Sequence, residues 1–146
     1  MVRIINNEGC PVIVLDKMRV VGGFINCQVS ATFQADKYDY FPSFLASVSL
    51  DFSPTDIVAF IDDLKQMYSF KKEKSVFYDV ERCFVIHVSL SKEDGHITCE
   101  CQIGNSVYGS LSFAFTFDQT MIPNLITEFR WLLSDDYSNP PTTRMP

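Results

Sequence analysis

SLSFAFTFDQTMIPNLITEFRWLL, residues 110–133, contains the clearest pattern in this chain, and the rest of the fold is organised around it. Phe113, Phe115 and Phe117 alternate with small or polar residues, which predicts a strand with one strongly apolar face. Apolar residues then recur at helical spacing, which predicts a helix whose apolar stripe lies against a sheet. The stripe consists of Ile122, Leu125, Ile126, Phe129, Leu132 and Leu133.

The start of this helix is set by a proline. Pro123 fits only in a first helical turn, where the missing N–H group costs little. Thr120 is therefore predicted to cap the helix, in preference to Asp118.

The chain carries the same strand-to-helix pattern twice. Val48, Leu50 and Phe52 alternate in the same way, Ser53 stands at the cap and Pro54 takes the first helical position. At a constant offset of 65, the apolar matches are Val48/Phe113, Leu50/Phe115, Phe52/Phe117, Ile57/Ile122, Phe60/Leu125, Ile61/Ile126, Leu64/Phe129 and Met67/Leu132. A duplication and the general likeness of two strand–cap–helix units explain this equally well, and both place two such corners at the centre of the fold.

Composition restricts the class of partner. The chain has 146 residues, 47% of them hydrophobic, and a net charge of −6, which argues against a nucleic acid or an anionic membrane and leaves a basic partner open. No apolar run approaches the roughly 18 residues of a membrane span, and the first residues lack the pattern of a signal peptide. The five cysteines are odd in number, and four of them, Cys27, Cys83, Cys99 and Cys101, fall on predicted strands, so we expect reduced thiols and a cytoplasmic protein.

The remaining pattern is mainly that of strands. Residues 1–10 are weakly patterned, and residues 11–21 suggest a hairpin or two short strands. Further strands are predicted at 25–33, 44–52, 75–79, 83–90, 97–103 and 107–117, and helices at 55–67 and 120–133. The predicted fold is an α+β domain over residues 1–134, in which a curved antiparallel sheet of about six strands carries two helices on one face. The proline-rich residues 135–146 are predicted to form a frayed tail.

The thiols and imidazoles do not form a convincing catalytic or metal site. Cys99 and Cys101 share a strand face with isoleucines, so buried free thiols are expected rather than metal ligands. His87 and Cys83 are four residues apart on a strand, about 13 Å, which is too far for a hydrogen bond.

The adjacent carboxylates also do not form a catalytic site. Residues 62–63 and 135–136 are adjacent aspartates, and neighbours on a helix diverge by about 100°. A phosphate-binding glycine loop and a nucleophile elbow are also missing from the sequence. We therefore expect no catalytic residue, cofactor or metal, and no enzyme.

Three surface features could instead contact a protein. The first is an acidic and aromatic connection, since tyrosine supplies contact area and aspartate would attract a basic partner. The second is a tryptophan predicted opposite the core stripe of the second helix, where it either contacts a partner or packs under the tail. The third is the carboxylates on the outer helix faces. The predicted partner-binding residues are Asp36, Tyr38, Asp39, Tyr40, Asp62, Asp63, Glu128 and Trp131.

The order of these motifs resembles the WapI-type immunity proteins of bacterial polymorphic-toxin systems. The similarity covers Phe44–Leu133, and the part of the chain before it adds little. The residues that carry it are Phe60, Leu64, Gly95, His96, Phe113, Phe115, Asp118, Gln119 and Leu125. It implies a small cytoplasmic protein that neutralises a cognate toxin domain, often a basic one, by binding it.

Two other functions remain open from the sequence. An accessory subunit would form a homo-oligomer through its phenylalanine-rich face or an edge strand. A ligand-binding domain would hold an apolar molecule between sheet and helices. Light scattering separates the first alternative from immunity, and an enclosed apolar cavity would favour the second.

Overall fold

Two four-stranded antiparallel sheets and two helices make up the protein in a computed structural model, which describes residues 1–7, 11–34, 43–105, 107 and 109–134. The first sheet contains β1 (Val2–Ile5), β2 (Pro11–Val21), β3 (Phe24–Gln34) and β4 (Ser43–Phe52), and α1 (Pro54–Tyr68) follows it. The second sheet contains β5 (Lys74–Tyr78), β6 (Phe84–Leu90), β7 (His96–Asn105) and β8 (Gly109–Asp118), and α2 (Ile122–Leu132) follows it. In each sheet the strands are ordered as in the chain. The α+β class with antiparallel pairing and two helices is thus confirmed.

The first sheet is built around a long hairpin. β2 is one continuous strand, with a register shift between Lys17 and Arg19, rather than a short hairpin or two strands. Gly22 and Gly23 join it to β3 with φ of 60° and 84°. Glycine adopts this left-handed backbone at little cost, and two such residues match the twist of a two-residue hairpin.

The predicted single sheet of about six strands is wrong. β4 and β5 do not continue one ladder, and in the described residues a single backbone bond joins β4 to the segment just after β5, from Val80 N to Asp51 O over 2.9 Å. The segment just after β1 meets β8 in the same way, through Asn7 N and Thr116 O at 3.0 Å. The alternation of apolar and polar residues predicts which face of each strand is buried, but it does not predict which strand lies beside it. The sequence therefore could not show that the strands divide between two sheets.

The β4–α1 and β8–α2 corners of the two sheet-plus-helix units are related by the same offset of 65 that relates their sequences. Asp51 and Thr116, which accept the two connecting bonds, are equivalent at that offset. Asp63 on α1 and Glu128 on α2 are also equivalent, and each binds the first strand of the other unit, through Ser75 and Arg3 respectively. The same strand order and these matched contacts favour duplication over coincidence.

A cluster of phenylalanine rings joins the units. Phe77 of β5 stacks on Phe52 of β4, with ring centroids 5.2 Å apart, and on Phe60 of α1 at 4.8 Å. Phe129 of α2 meets Phe60 and Phe77 edge to face. These rings belong to one continuous core that includes residues of both sheets and both helices.

The beginning of the chain and the start of α2 differ from the sequence prediction. Residues 2–5 form a real strand, β1, whose Val2 and Ile4 are buried against the core. Thr120 does not cap α2. Asp118 caps a 3₁₀ turn that precedes α2, through a carboxylate that accepts a hydrogen bond from Thr120 N, and Met121 stands at the N-cap of α2 without a side-chain bond. Pro123 does lie in the first turn of α2, as predicted. Within the described residues, neither helix has the length and hydropathy required to cross a bilayer.

Candidate protein-binding surface

The predicted binding residues at positions 36 and 38–40 lie outside the described residues. Asp62 is described and exposed on α1, where it accepts a hydrogen bond from Gln66 over 2.8 Å. Asp63 instead accepts bonds of 2.6 Å from both Lys72 and Ser75. Asp63 therefore ties α1 to β5, which leaves Asp62 as the more accessible carboxylate of the pair.

Glu128 does not lie on an outer helix face, and that prediction is wrong. Its side chain is buried and accepts a hydrogen bond from the backbone N–H of Arg3 over 2.7 Å. Burial raises the pKa of this carboxyl, while the hydrogen bond and the charge of Arg3 act in the opposite direction. Glu128 thus pairs with a backbone N–H group on the outer edge of β1, which is a structural role.

Trp131 is likewise buried rather than outward-facing. The ammonium of Lys17 lies 5.0 Å from the ring centroid of Trp131 and donates hydrogen bonds to the carbonyls of Trp131, Leu132 and Ser134. A buried lysine is unusual. Here the ammonium of Lys17 is stabilised because the last carbonyls of a helix lack intrahelical donors and carry negative partial charge.

The described cysteines behave as core residues. Cys27, Cys99 and Cys101 are buried free thiols, and burial raises the pKa of Cys27 and of Cys101 to about 12 and that of Cys99 as well. Among the described residues, no group of three His, Cys, Asp or Glu side chains is close enough to hold a metal ion. This arrangement indicates that these thiols contribute to packing of the core and not to catalysis or metal binding.

These thiols should be inert in the folded protein because the thiolate is the reactive form. At roughly pH 8, we expect Cys27, Cys99 and Cys101 to react with Ellman's reagent only as fast as the protein unfolds. All five cysteines of the chain should react at once in concentrated guanidinium chloride. Cys83 is only half-buried, so Cys83→Ser should remove a fast phase. Rapid reaction of more than two thiols in native buffer would contradict this assignment.

β8 presents backbone groups that its own sheet does not use. Thr116 accepts its hydrogen bond from Asn7 on the side away from β7. The β7–β8 register runs without a shift, so Ser110, Ser112 and Ala114 direct their backbone groups to the same side as Thr116. In the described part of the chain, none of these three receives or donates a backbone bond there. We call Ser110, Ser112 and Ala114 the β8 edge.

An open concavity lies beside the β8 edge on the solvent face of the second sheet. It has a volume of about 510 Å³ and is lined by His87, Glu100, Gln102, Ser112 and Ala114 together with Cys101 and Phe113. His87 and Glu100 are exposed and stand opposite each other in the β6–β7 ladder. Glu100 has no cationic partner within the described ranges.

β4 provides the equivalent edge of the other unit. Asp51 accepts a bond from Val80, so Ser47 and Ser49 point their backbone groups away from β3. The gap beside Asp51 is narrow, with a volume of about 90 Å³ lined by Ser49, Asp51, Val80 and Glu81 together with Leu50 and Asp79. Of these two described concavities, the one beside the β8 edge is the larger.

Neither edge was predicted from the residues. Both strands contain alternating residues, a pattern that identifies a strand but not whether a neighbour lies on each side. One signal was present: residues 109–117 contain no charge and no proline, whereas exposed edges usually carry one or the other.

Comparison with known proteins identifies a family for this chain. The model of a family described as the immunity protein WapI-like family matches residues 14–135, more than four fifths of the chain. The match begins within β2, well before Phe44, so the first sheet contributes more to the family resemblance than predicted. No curated protein and no solved structure matches the chain.

Proposed function

Because the chain belongs to the WapI-like immunity protein family, we propose that it neutralises a cognate toxin domain by direct, non-catalytic binding in the cytoplasm. The family match over residues 14–135 is the observation that carries this proposal. It spans both sheets and both helices from β2 onward, and so most of the structure that would present the binding surface.

The charge of the protein supports a basic partner. The net charge is −6, and acidic proteins attract basic ones at long range, which raises the rate of productive encounters. Exposed carboxylates such as Asp62 and Glu100 are available on different faces of the described structure. A basic toxin domain would therefore be steered to this protein and held by complementary charge.

The test is co-expression with the C-terminal domain of any large secreted protein that is encoded next to this chain. We expect that domain to stop growth alone, and growth to return when this chain is present with a stable 1:1 complex on purification. A catalytic antidote would restore growth without a stoichiometric complex. Growth arrest that this chain does not relieve would refute the proposal for that toxin.

The connection at residues 36–40 remains a predicted contact of this complex. Replacing Asp36 and Asp39 together by lysine should leave the melting midpoint unchanged and slow association roughly tenfold, because the local attraction for a basic partner is reversed. Stopped-flow or biosensor kinetics at two salt concentrations would measure this effect, which should shrink as salt is added.

A second double variant with the same net charge separates the local effect of residues 36 and 39 from the effect of overall charge. Replacing Glu81 and Glu93 by lysine makes the same change in net charge at exposed positions. We expect this control to slow association less than the Asp36 and Asp39 pair does. Equal rates for both double variants would remove the 36–40 connection from the interface.

A further inference from the structure

We infer that the β8 edge accepts an extended segment of the toxin domain, which adds to the second sheet as a fifth strand and places a basic side chain toward Glu100. This inference rests on the proposed function and names the surface that performs it. Strand addition draws its affinity from main-chain hydrogen bonds and its specificity from alternate side chains.

The backbone geometry dictates an extended partner. Ser110, Ser112 and Ala114 each offer one N–H and one C=O on the open side of β8, at the alternating spacing of a strand. Their own side chains lie on the solvent face and are exposed and small, so they leave room for an incoming chain. Only another strand can pair with donors and acceptors that alternate in this order.

The edge also lacks the features that usually prevent such pairing. Natural edge strands carry charges, prolines or bulges that deter a second chain. Residues 109–117 have neither charge nor proline, and their register with β7 has no bulge. β1, the outer strand of the first sheet, is by contrast short, and Glu128 occupies the N–H of Arg3.

Charge complementarity identifies the side chain that the partner would contribute. An added strand lies about 10 Å from β7, two strand spacings away, and the residue between them at the level of Glu100 is Ala114. Because alanine is short, a lysine or arginine of the added strand can extend over it to the exposed carboxylate of Glu100. The open concavity there accommodates such a side chain.

The first experiment blocks the edge without touching the core. Ser112→Pro removes an N–H that faces solvent and places the ring where the added strand would bind, and proline is tolerated on an edge strand in this orientation. We expect the melting midpoint to stay within about 3 °C and the affinity for the toxin domain to fall roughly 100-fold or more. Ser47→Pro makes the equivalent backbone change on β4, although it also removes the hydroxyl that accepts a hydrogen bond from Gln28 over 2.6 Å, and it should bind as wild type.

The second experiment tests the charge. Glu100→Gln should weaken binding roughly tenfold and reduce its salt dependence, whereas Glu81→Gln, an exposed carboxylate beside the β4 edge, should do neither. If Ser112→Pro and Glu100→Gln both neutralise the toxin with wild-type affinity, the β8 edge is not the interface, although the proposed function stands. Failure of the wild-type chain to bind the toxin would refute the proposed function itself.

Two further measurements on the unmodified chain complete the test. Hydrogen exchange of the amides of Ser110, Ser112 and Ala114 should slow at least roughly tenfold in the complex, and unchanged exchange would overturn the inference even if Ser112→Pro failed to fold. Light scattering of the free chain should give a monomer. A dimer that Ser112→Pro dissociates would assign the edge to a second copy of this chain instead.

Discussion

Phe77→Ala is expected to lower the free energy of unfolding by about 3–5 kcal/mol. Phe77 is almost fully buried and contacts four rings, with centroid distances of 5.2 Å to Phe52, 4.8 Å to Phe60, 5.2 Å to Phe129 and 6.4 Å to Phe84. Those rings belong to both sheet-plus-helix units, so alanine would leave a cavity where the units meet. The expected loss is a large part of the roughly 5–15 kcal/mol that stabilises an ordinary domain.

Urea unfolding followed by tryptophan fluorescence and by circular dichroism would measure this change. Val76→Ala is the matched control, since Val76 precedes Phe77 on β5 but is 42% exposed, and its effect should be within about 0.5–1 kcal/mol. If Phe77→Ala unfolds at the wild-type urea midpoint, the phenylalanine cluster does not hold the units together.

Lys17→Met is expected to destabilise the protein by about 2–3 kcal/mol. Methionine keeps most of the volume but cannot donate to the carbonyls of Trp131, Leu132 and Ser134, which would lose this donor at the end of α2. The carbonyl of Trp131 would still accept hydrogen bonds from Ser134. Burying an ammonium also costs free energy in the native protein, and methionine removes that cost. We expect the loss of the carbonyl partners to outweigh this gain, because Lys17 supplies three charge-assisted bonds.

The matched control is Arg19→Met. Arg19 lies two residues along β2 and is exposed, so it should change the free energy of unfolding by no more than about 0.5 kcal/mol. Trp131 reports directly on the site, since its fluorescence should shift when the neighbouring ammonium is removed. A stable Lys17→Met variant with an unchanged spectrum would show that the buried lysine is dispensable.

Local structure was largely predictable from the residues. The alternation in residues 110–117 and the stripe of α2 gave the correct elements because a strand and a helix repeat their buried positions with different periods. The prolines at positions 54 and 123 located both helix starts to within a turn. The Asp118 cap was missed because a 3₁₀ turn separates the cap from α2, and the sequence pattern does not distinguish the two kinds of turn.

The candidate site was less predictable. Glu128 and Trp131 have polar or amphipathic side chains on the flank of the α2 stripe, which is typical of an exposed helix face. Both are buried because β1 and Lys17 cover that flank from the opposite end of the chain. Residues 1–10 showed too little pattern to predict this cover, since β1 contributes only a short strand.

The residues alone are enough to predict most of the elements and their apolar faces, the likeness of two strand-to-helix corners and membership of an immunity protein family. Only the folded arrangement establishes which strands are neighbours, and hence that there are two sheets, that Glu128 and Lys17 are buried, and that β8 is an edge. The difference arises because side-chain periodicity reports the environment of a face along one strand or helix. Pairing and burial between distant segments depend on backbone hydrogen bonds and on partners far away in the chain, which periodicity does not encode.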